Sequence, residues 1–380
     1  WTVSNVAPEA MDDFGSIGTG SAVTGNVRTN DRDGSPDGDV LTVTEFTVDG
    51  VTYSASSTAI TIAGVGTFVL ESDGDYSFTK DAAFTGGVVP VISYTVSDGN
   101  GGTDTATLYL SVSVNDVSVN EGSPYAVFEV KGLASELVTL ALSNGTATID
   151  SDGIALLDGS EDFGPTLQYS SNGGTSWSNY AGGTVALNGS GMLLVRTAVI
   201  HDVLYEGGHT FKLKATNSSS TYAEGIATIL DDGTGQWFDG TSGTGANSAP
   251  ARQVLDDDRP VSVNDIRVNE GSPYAVFTVT GKEGQQVKLN LSNGMATIEN
   301  GNGTVLTDGS EDFGPALQYW NGCAWTNYTA NSFVIIPSDW DGTSGETAKL
   351  LVRTAVNPDT QAEGDHTFTL TATNTGGNAD

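Results

Sequence analysis

The stretch that decides the fold occurs twice, as VSVNDVSVNEGSPYAVF at residues 112–128 and as VSVNDIRVNEGSPYAVF at residues 261–277. The two copies begin 149 residues apart (261 minus 112). Two further runs also return: DGSEDFGP at 158–165 and 308–315, and LLVRTAV at 193–199 and 350–356. Because several separated runs return in the same order, the repeated unit is a whole domain with small loop insertions.

Composition limits the possible functions. The 380 residues carry 14 Lys and Arg against 47 Asp and Glu, a net charge of -33. This charge disfavours nucleic acid and anionic membranes as partners, and it repels itself unless cations bind. The single cysteine, Cys323, excludes an internal disulfide framework. With no long apolar run and no signal peptide, we expect a soluble piece of a longer secreted chain.

Short alternating runs predict β-strands throughout. In the first part of the chain they are residues 40–48, 76–79, 91–96 and 105–112, separated by Gly, Asp and Asn turns. Period-two alternation between turn residues is typical of antiparallel sandwiches. Since no helical period is evident, the sequence predicts an all-β chain of tandem Ig-like or cadherin-like β-sandwiches in an extended array.

Residues 1–114 resemble a known type of repeat. NVAPEAMDD at 5–13, GNVRTNDRD at 25–33, PDGD at 36–39 and YTVSDGNGG at 94–102 follow the order seen in the cadherin-like VCBS repeats of large bacterial adhesins. Such repeats are associated with calcium and with cell-surface stalks, so the resemblance implies an extender module.

The repeated unit resembles Calx-beta domains. In the first copy the matching points are Asn120-Glu121-Gly122, Asp162-Phe163, Glu206-Gly207 before Thr210-Phe211, and the closing run at 229–232. The second copy matches until Asp380, level with Ala223 of the first copy, and stops before the closing strand. We therefore expect one Calx-beta-like sandwich at 115–258, with a Gly-rich loop at 233–255, and another at 259–380 without its last strand.

Both resemblances imply calcium as the cofactor. Calcium accepts six to eight oxygen ligands and tolerates irregular loops. The implied ligands are Glu121, Asp162, Asp202, Glu206, Asp231 and Asp232 in the first Calx-beta-like unit; Glu270, Asp312, Asp359 and Glu363 in the second; Asp31, Asp33, Asp37, Asp39 and Asp98 in the first domain; and Asp116 and Asp265 after it. The alternative is that these acids are solvated turn formers or surface charge.

The loop between the two copies contains Trp237-Phe238, which would be costly to leave exposed. We expect this pair to fold back on the first copy of the repeat. The following Asp256-Asp-Asp258 run lies just before the next opening strand, where a junction would need ligands.

An enzyme is not predicted. His209 and His366 occupy the same repeat position inside a strand pattern, which favours a structural role, and Cys323 has no partnered histidine in its loop. Ligand recognition is the alternative function, because Trp320, Trp325 and Tyr328 cluster in the second copy and could hold a sugar or a peptide. Core and hairpin packing is the competing explanation for these aromatic residues.

The sequence thus predicts a calcium-stabilised structural segment of a secreted bacterial surface adhesin, resembling the RTX type. Such a segment would project a ligand-binding region for attachment or biofilm formation. Its expected partners are calcium, neighbouring domains of the same chain and possible cell-surface glycans or peptides, with neither nucleic acid nor membrane insertion.

Overall fold

A computed structural model describes residues 5–17, 22–34, 38–150, 160–239, 255–298, 312–337, 347–358, 364–377 and 379. Within these ranges the chain forms β-strands and turns without a helix. Accordingly, none of the described residues belongs to a helix long and apolar enough to cross a membrane. The prediction of an all-β chain of tandem sandwiches is confirmed, and the three units are described in turn.

The first unit is a sandwich of two sheets. Its strands are β1 Asp13–Phe14, β2 Ala22–Asn26, β3 Thr42–Val48, β4 Val51–Ser54, β5 Ser56–Ile62, β6 Gly66–Leu70, β7 Asp75–Lys80, β8 Ile92–Ser97 and β9 Thr103–Tyr109. One sheet has the order β1-β9-β8-β3-β4 and the other the order β2-β7-β6-β5. Phe46 of β3 and Phe68 of β6 meet edge to face, with ring centroids 5.4 Å apart. The core therefore lies between the sheets, as the alternating pattern predicts.

The second unit contains two five-stranded sheets. Its strands are β10 Ser113–Val114, β11 Val117–Asn120, β12 Tyr125–Lys131, β13 Leu137–Asn144, β14 Gln168–Ser170, β15 Ser178–Asn179, β16 Val185–Ala186, β17 Met192–Ala198, β18 His209–Asn217 and β19 Tyr222–Leu230. The orders are β10-β12-β17-β14-β15 and β11-β19-β18-β13-β16. Strand β11 pairs with β19 in parallel, whereas the other pairs within these two sheets are antiparallel.

The third unit repeats this arrangement with fewer described strands. They are β20 Ser262–Val263, β21 Tyr274–Lys282, β22 Gln286–Asn293, β23 Gln318–Trp320, β24 Trp325–Asn327, β25 Val334–Ile335, β26 Thr347–Ala355 and β27 Phe368–Asn374. The sheet orders are β20-β21-β26-β23-β24 and β25-β22-β27. The second sheet thus has three described strands where the matching sheet of the second unit has five.

An Asp-Phe pair joins the core of each repeated unit to its acidic end. Phe163 is buried and stacks on Phe211 with ring centroids 4.1 Å apart. In the third unit Phe313 stacks on Phe368 in the same way, at 4.3 Å. Because the aromatic ring is anchored in the core, the preceding residue, Asp162 or Asp312, is held at the edge of the sandwich.

The chain after β19 folds back on the second unit. Trp237 and Phe238 are buried, and Phe238 belongs to the core of that unit. The main-chain nitrogen of Phe238 donates to Ser123 Oγ at 3.0 Å, and Gln236 forms a parallel bridge with Val119. The expected return of Trp237-Phe238 onto the first copy of the repeat is therefore confirmed.

Candidate metal centre

The Asn120-Glu121-Gly122 turn is fastened by the fully buried side chain of Asn120. Its amide nitrogen donates to the carbonyl oxygens of Thr234 and Asp256, at 2.9 and 3.0 Å. Its amide oxygen accepts from the main-chain nitrogens of Asp256 and Gly122. A buried amide requires partners for both its donor and its acceptor groups. Asn120 therefore ties the Asp256 segment to the end of β11.

Three carboxylates form a buried triad beside this turn: Glu121, Asp256 and Asp258. One oxygen from each lies within 4.8 Å of the others, and all three residues are buried. Glu121 Oε1 accepts from the main-chain nitrogen of Asp202 at 2.8 Å. Asp256 Oδ1 lies 3.0 Å from His201 Nε2. The turn after β11, the loop after β17 and the segment after the Gly-rich loop thus meet at one place.

The electrostatics of the buried triad are unfavourable without a positive charge. Two ionised carboxylates about 4 Å apart repel by roughly 4 kcal/mol at an effective dielectric constant of about 20. Burial raises the pKa of Glu121 to about 8, and burial with the nearby Asp256 charge raises the pKa of Asp258 to about 8. The hydrogen bond to Asp256 raises the pKa of His201 to about 9. Protons or a cation must therefore neutralise the triad.

A second group at the same end of the sandwich is the His209 triad, made of Asp162, Glu206 and His209. His209 Nδ1 lies 2.7 Å from Asp162 Oδ1 and 3.5 Å from Glu206 Oε2. Asp162 Oδ2 also accepts from the main-chain nitrogen of Thr148 at 2.6 Å. Burial alone would lower the pKa of His209, but the hydrogen bond to Asp162 and the two acidic charges raise it. Burial raises the pKa of Glu206.

Asp231 connects the two triads. Its Oδ2 accepts from the main-chain nitrogens of Glu206 and Gly207, at 2.6 and 3.1 Å, and its carbonyl oxygen accepts from Asp258. Burial raises the pKa of its side chain. Within the described part of the chain, Asp231 Oδ1 and Asp256 Oδ2 are both buried and accept no hydrogen bond. These two carboxylate oxygens are therefore available to coordinate a cation.

The remaining sequence-predicted ligands of the second unit lie beside these triads. Asp202 Oδ1 accepts from the main-chain nitrogen of Leu204 at 2.7 Å. Asp232 Oδ1 accepts from the main-chain nitrogen and the hydroxyl of Thr234, and Asp232 forms a bridge with Asp257. Of the six predicted residues, the structure thus places three in the two triads and three beside them, and their role as ligands stays a prediction.

In the third unit the structure describes only part of the corresponding groups. Asp312 Oδ1 lies 2.9 Å from His366 Nδ1, and Asp312 Oδ2 accepts from the main-chain nitrogen of Thr297. Glu270, the counterpart of Glu121, is exposed. The predicted ligands Asp359 and Glu363 lie outside the described residues.

In the first unit, the hydroxyl of Tyr94 lies between the carboxylates of Asp13 and Asp31. Tyr94 Oη lies 2.8 Å from Asp13 Oδ2 and 3.4 Å from Asp31 Oδ1. Burial raises the pKa of Asp13 to about 7 and also raises the pKa of Asp31. Asp31 was predicted as a ligand from its sequence run, whereas its partner Asp13 was not.

Other predicted acids of the first unit are engaged by hydrogen-bond donors. Asp98 accepts from the side chain of Asn5 and from the main-chain nitrogens of Asn100 and Gly102. Asp33 Oδ2 accepts from the main-chain nitrogen of Asp39 at 3.0 Å. These bonds close the loops in which the acids lie. Asp39 Oδ2 in turn accepts from the Asn100 side chain at 2.8 Å.

Three predicted ligands remain. Asp37 lies outside the described residues. Asp116 Oδ1 accepts from the main-chain nitrogen of Ile226 at 2.7 Å, which joins the start of β11 to β19. Asp265 is exposed. None of the described carboxylates among them belongs to either triad.

The sequence prediction did not assign Asp256, Asp258 and His209 as possible ligands. The sequence predicts the Asp256–Asp258 run as a junction feature, but its partner Glu121 lies far away in the chain. Only the return of the chain through Asn120 brings the two together. For His209, the spacing of three residues from Glu206 on one edge was the available signal.

The aromatic residues of the alternative function differ in their surroundings. Tyr328 Oη accepts from the main-chain nitrogen of Leu289 and donates to the carbonyl of Ser332, so it closes a loop. Trp320 and Trp325 pack edge to face, with ring centroids 5.7 Å apart, and both are half-buried. The two tryptophans therefore lie on a surface, whereas the hydroxyl of Tyr328 is engaged in structure.

Comparison with known proteins supports an Ig-like first unit. Residues 5–111 match the family model described as a bacterial Ig domain. The calcium-binding lectin RapA2 of Rhizobium johnstonii is 35% identical over 124 residues, which are 31% of this chain and 51% of that protein. The chain thus spans about half the length of this curated relative.

Solved structures with distant likeness include adhesion proteins. The tetra-tandem repeat in the extending region of a large adhesion protein covers 94% of this chain and 67% of its own, at 12% identity and a TM-score of 0.18. Mouse clustered PcdhgC3 EC1-3 covers 98% of this chain and 96% of its own, at 14% identity and a TM-score of 0.26.

Proposed function

We propose that this chain is a calcium-stabilised extender segment of a large secreted bacterial surface adhesin of the RTX type. In this proposal residues 1–114 are a VCBS or cadherin-like module, and 115–258 and 259–380 are Calx-beta-like modules. The segment projects a ligand-binding region away from the cell for attachment or biofilm formation. The segment binds calcium as its cofactor and is not an enzyme.

The observation that carries the proposal is the buried triad. Glu121, Asp256 and Asp258 converge with their oxygens within 4.8 Å, and Asp256 Oδ2 is buried without a hydrogen bond from any described residue. A solvated turn former would keep its carboxylate in water, so turn formation or surface charge does not explain why three acids are buried at one point. A bound cation would explain it, because it neutralises their charge.

The donor set favours calcium over other cations. All three triad ligands are carboxylate oxygens on irregular loops. Calcium accepts such a set at variable geometry, whereas magnesium demands a near-ideal octahedron and zinc prefers nitrogen and sulfur ligands. At the His209 triad, Asp162 and Glu206 supply carboxylates, and His209 orients Asp162 through its hydrogen bond. The name of the relative RapA2, a calcium-binding lectin, supports the same ion.

The position of the buried triad suggests what calcium would do. The segment that carries Asp256 and Asp258 also contacts the third unit: Gly376 donates to the carbonyl of Asp257, and Thr375 Oγ1 donates to the carbonyl of Leu255. Neutralising the triad would therefore stabilise both the end of the second unit and its connection to the third. When the free calcium concentration is a hundred times the dissociation constant of a site, binding adds about 2.7 kcal/mol to the free energy of unfolding.

Thermal unfolding and small-angle scattering in excess calcium and in chelator test this proposal, with magnesium as a control ion. We expect the melting temperature to rise by several degrees in calcium and much less in magnesium. We also expect a longer, less flexible particle in calcium. An unchanged melting temperature and scattering profile in all three conditions would reject calcium stabilisation and leave the acids as surface charge.

A further inference from the structure

One face of the third unit is open where the same face of the second unit is covered. On the outer side of the β21-β26 pair, Val276 and Leu351 are 41% and 37% exposed. Their counterparts in the other copy of the repeat, Val127 and Leu194, are 2% and 3% exposed. The residue types are identical, so the difference lies in what covers the face.

The strand register shows which side chains share this open face. Antiparallel partners point to the same side of a sheet. Arg353 lies opposite Val276 and Gln318, and Trp320 lies opposite Trp325. The open face therefore carries two tryptophans, aliphatic side chains and a guanidinium group on one continuous surface.

Arg353 is held in the middle of the open face by aromatic rings. Its guanidinium carbon lies 3.9 Å from the centroid of Tyr274 and 4.2 Å from that of Trp325. Its Nε donates to Gln318 Oε1 at 2.9 Å. These contacts fix the plane of the guanidinium while its two terminal nitrogens donate to none of the described residues. A guanidinium held in this way is prepared to bind a carboxylate with two hydrogen bonds.

The charge of the open face is opposite to that of the chain. Although the chain has 47 Asp and Glu residues, the register places none of them on this side of β21, β23, β24 and β26. Lys349 lies four residues before Arg353 on β26, so its side chain points to the same face, where it is opposite Thr280. The second unit has Glu129 where the third has Thr278. The open face of the third unit therefore lacks the carboxylate that pairs with Lys131 in the second unit, which favours a negatively charged ligand on the third.

We propose that this open face binds an acidic polysaccharide, with sugar rings on Trp320 and Trp325 and a sugar carboxylate on Arg353. Aromatic rings provide flat apolar surfaces for the C–H faces of sugars, and the neighbouring amide of Gln318 provides polar groups for hydroxyls. This inference is independent of the proposed calcium sites, since none of these residues belongs to a triad.

Two other classes of anionic ligand fit less well. A peptide that binds a sheet adds to its edge through main-chain hydrogen bonds, but a sheet face offers only side chains. Nucleic acid carries a charge at every phosphate and would be repelled by a chain of net charge -33. A polysaccharide with one carboxylate every one or two sugars presents fewer charges and more apolar ring surface.

Affinity electrophoresis of the full chain in calcium, through gels containing hyaluronan, polygalacturonate or xanthan, tests the inference. Dextran serves as the neutral polymer and polyglutamate as the acidic peptide. We expect retardation by at least one acidic polysaccharide and none by dextran or polyglutamate. Trp320→Ser and Thr278→Glu, which install the residues of the second unit, should each weaken binding about tenfold, a typical loss at an interface hot spot.

Ile335→Ser is the matched control, since Ile335 is an exposed apolar residue of the same unit on the other sheet. All three variants should keep the melting temperature of the parent chain. Absence of retardation by all three polysaccharides, equal retardation by polyglutamate, or unchanged binding by both face variants would overturn the inference. Loss of the calcium effect on stability would not, so the two proposals fail separately.

Discussion

A single glutamate has two different environments in the two copies of the repeat. Glu121 is buried in a triad, whereas Glu270 is exposed, although both stand in the same Asn-Glu-Gly-Ser-Pro run. The difference arises from the Asp256 segment, which Asn120 binds to the second unit. Local sequence therefore places the carboxylate at the end of a strand, and a distant segment determines whether it is buried.

This pair provides a matched test of calcium binding at one residue. Glu121→Gln removes a negative charge from the buried triad and keeps an oxygen that can accept from Asp202. We expect the metal-free variant to be at least as stable as the parent, because the amide replaces a carboxyl group that must otherwise be protonated or repelled by its neighbours, and to lose most of the calcium-induced rise in melting temperature. Calorimetry in calcium and in chelator measures both effects.

Glu270→Gln is the control for Glu121→Gln and should leave the calcium-induced rise within a degree or so of the parent, as expected for an exposed site. If the two variants respond alike, the buried triad does not hold the ion that stabilises the chain.

The raised pKa values predict how stability in chelator depends on pH. Glu121 and Asp258 have pKa values of about 8 in the folded chain, above ordinary values of 4.5 and 3.8, so the folded state holds protons that the unfolded state releases. Stability therefore falls as pH rises toward 8. His201, raised from 6.5 to about 9, adds stability below pH 6.5 that is lost as pH rises through 9. All three shifts act in the same direction.

Differential scanning calorimetry from pH 6 to 8.5 checks this dependence. In chelator the melting temperature should decrease across the range. In calcium the decrease should be smaller, because the ion replaces the protons, and the apparent calcium affinity should increase with pH. A melting temperature in chelator that increases with pH would contradict the triad electrostatics.

At the residue scale, the site could be predicted only in part. Motif resemblance predicts Glu121, Asp162 and Glu206 as ligands, and the structure places Glu121 in one triad and the other two in a second triad, so their role as ligands stays a prediction. For Asp98, sequence could not show that Asn5 and two main-chain nitrogens donate to its carboxylate, because these contacts arise only on folding. Asp258 depends on a return of the chain that spans more than a hundred residues.

At the scale of elements, one strand shows that a β-pattern also needs a partner. Residues 117–120 form β11 because β19 pairs with them in parallel. The matching residues 266–269 keep the same alternation, with two of four residues identical, but form no strand in the described chain, where no counterpart of β19 is present beside them. The alternating pattern is thus present in both copies, and pairing with β19 determines that only residues 117–120 form a strand among those described.

Alanine substitutions at Val119 and Val268 test this difference between the two copies. Val119 is fully buried and Val268 is 37% exposed. We expect Val119→Ala to cost about 2 kcal/mol, through lost burial and a cavity, and Val268→Ala to cost about 0.5 kcal/mol or less. Chemical denaturation of the full chain in calcium, followed by tryptophan fluorescence, compares the two. Equal costs would show that the edge residues of the third unit are packed like those of the second.

At the scale of the whole molecule, the same two repeat positions form both junctions. Glu136 and Asn217 face the first unit, where Ser16 Oγ donates to Glu136 Oε1 at 2.7 Å and Asn217 Nδ2 donates to the same oxygen at 3.0 Å. Their counterparts Gln285 and Asn374 both donate to the carbonyl of Arg259, where the third unit begins, and Gln285 Nε2 also lies 3.3 Å from Asp257 Oδ1 in the segment before it. The repeat thus contains its own docking position for the unit that precedes it.

The two junctions differ in what else holds them. At the first, Gly87 exchanges main-chain hydrogen bonds with Ser220 and Tyr222, and Ser111 Oγ donates to Thr221 Oγ1 between buried residues. Neither carboxylate triad of the described chain lies at this junction. The second junction contains the segment of the buried triad. The first connection is therefore formed by hydrogen bonds away from both triads, and the second also requires that the charge of the buried triad be neutralised.

This asymmetry predicts that chelation loosens only one of the two junctions. In a Cys323→Ser background, spin labels on exposed residues Val51, Ile226 and Ile335 report distances between the first and second units and between the second and third. We expect the Val51–Ile226 distance distribution to stay narrow in chelator, because neither carboxylate triad lies at the first junction. The Ile226–Ile335 distribution should broaden in chelator and narrow again on adding calcium. Broadening at both junctions would place a calcium requirement at the first as well, and broadening at neither would mean that hydrogen bonds through Gln285 and Asn374 suffice to hold the second.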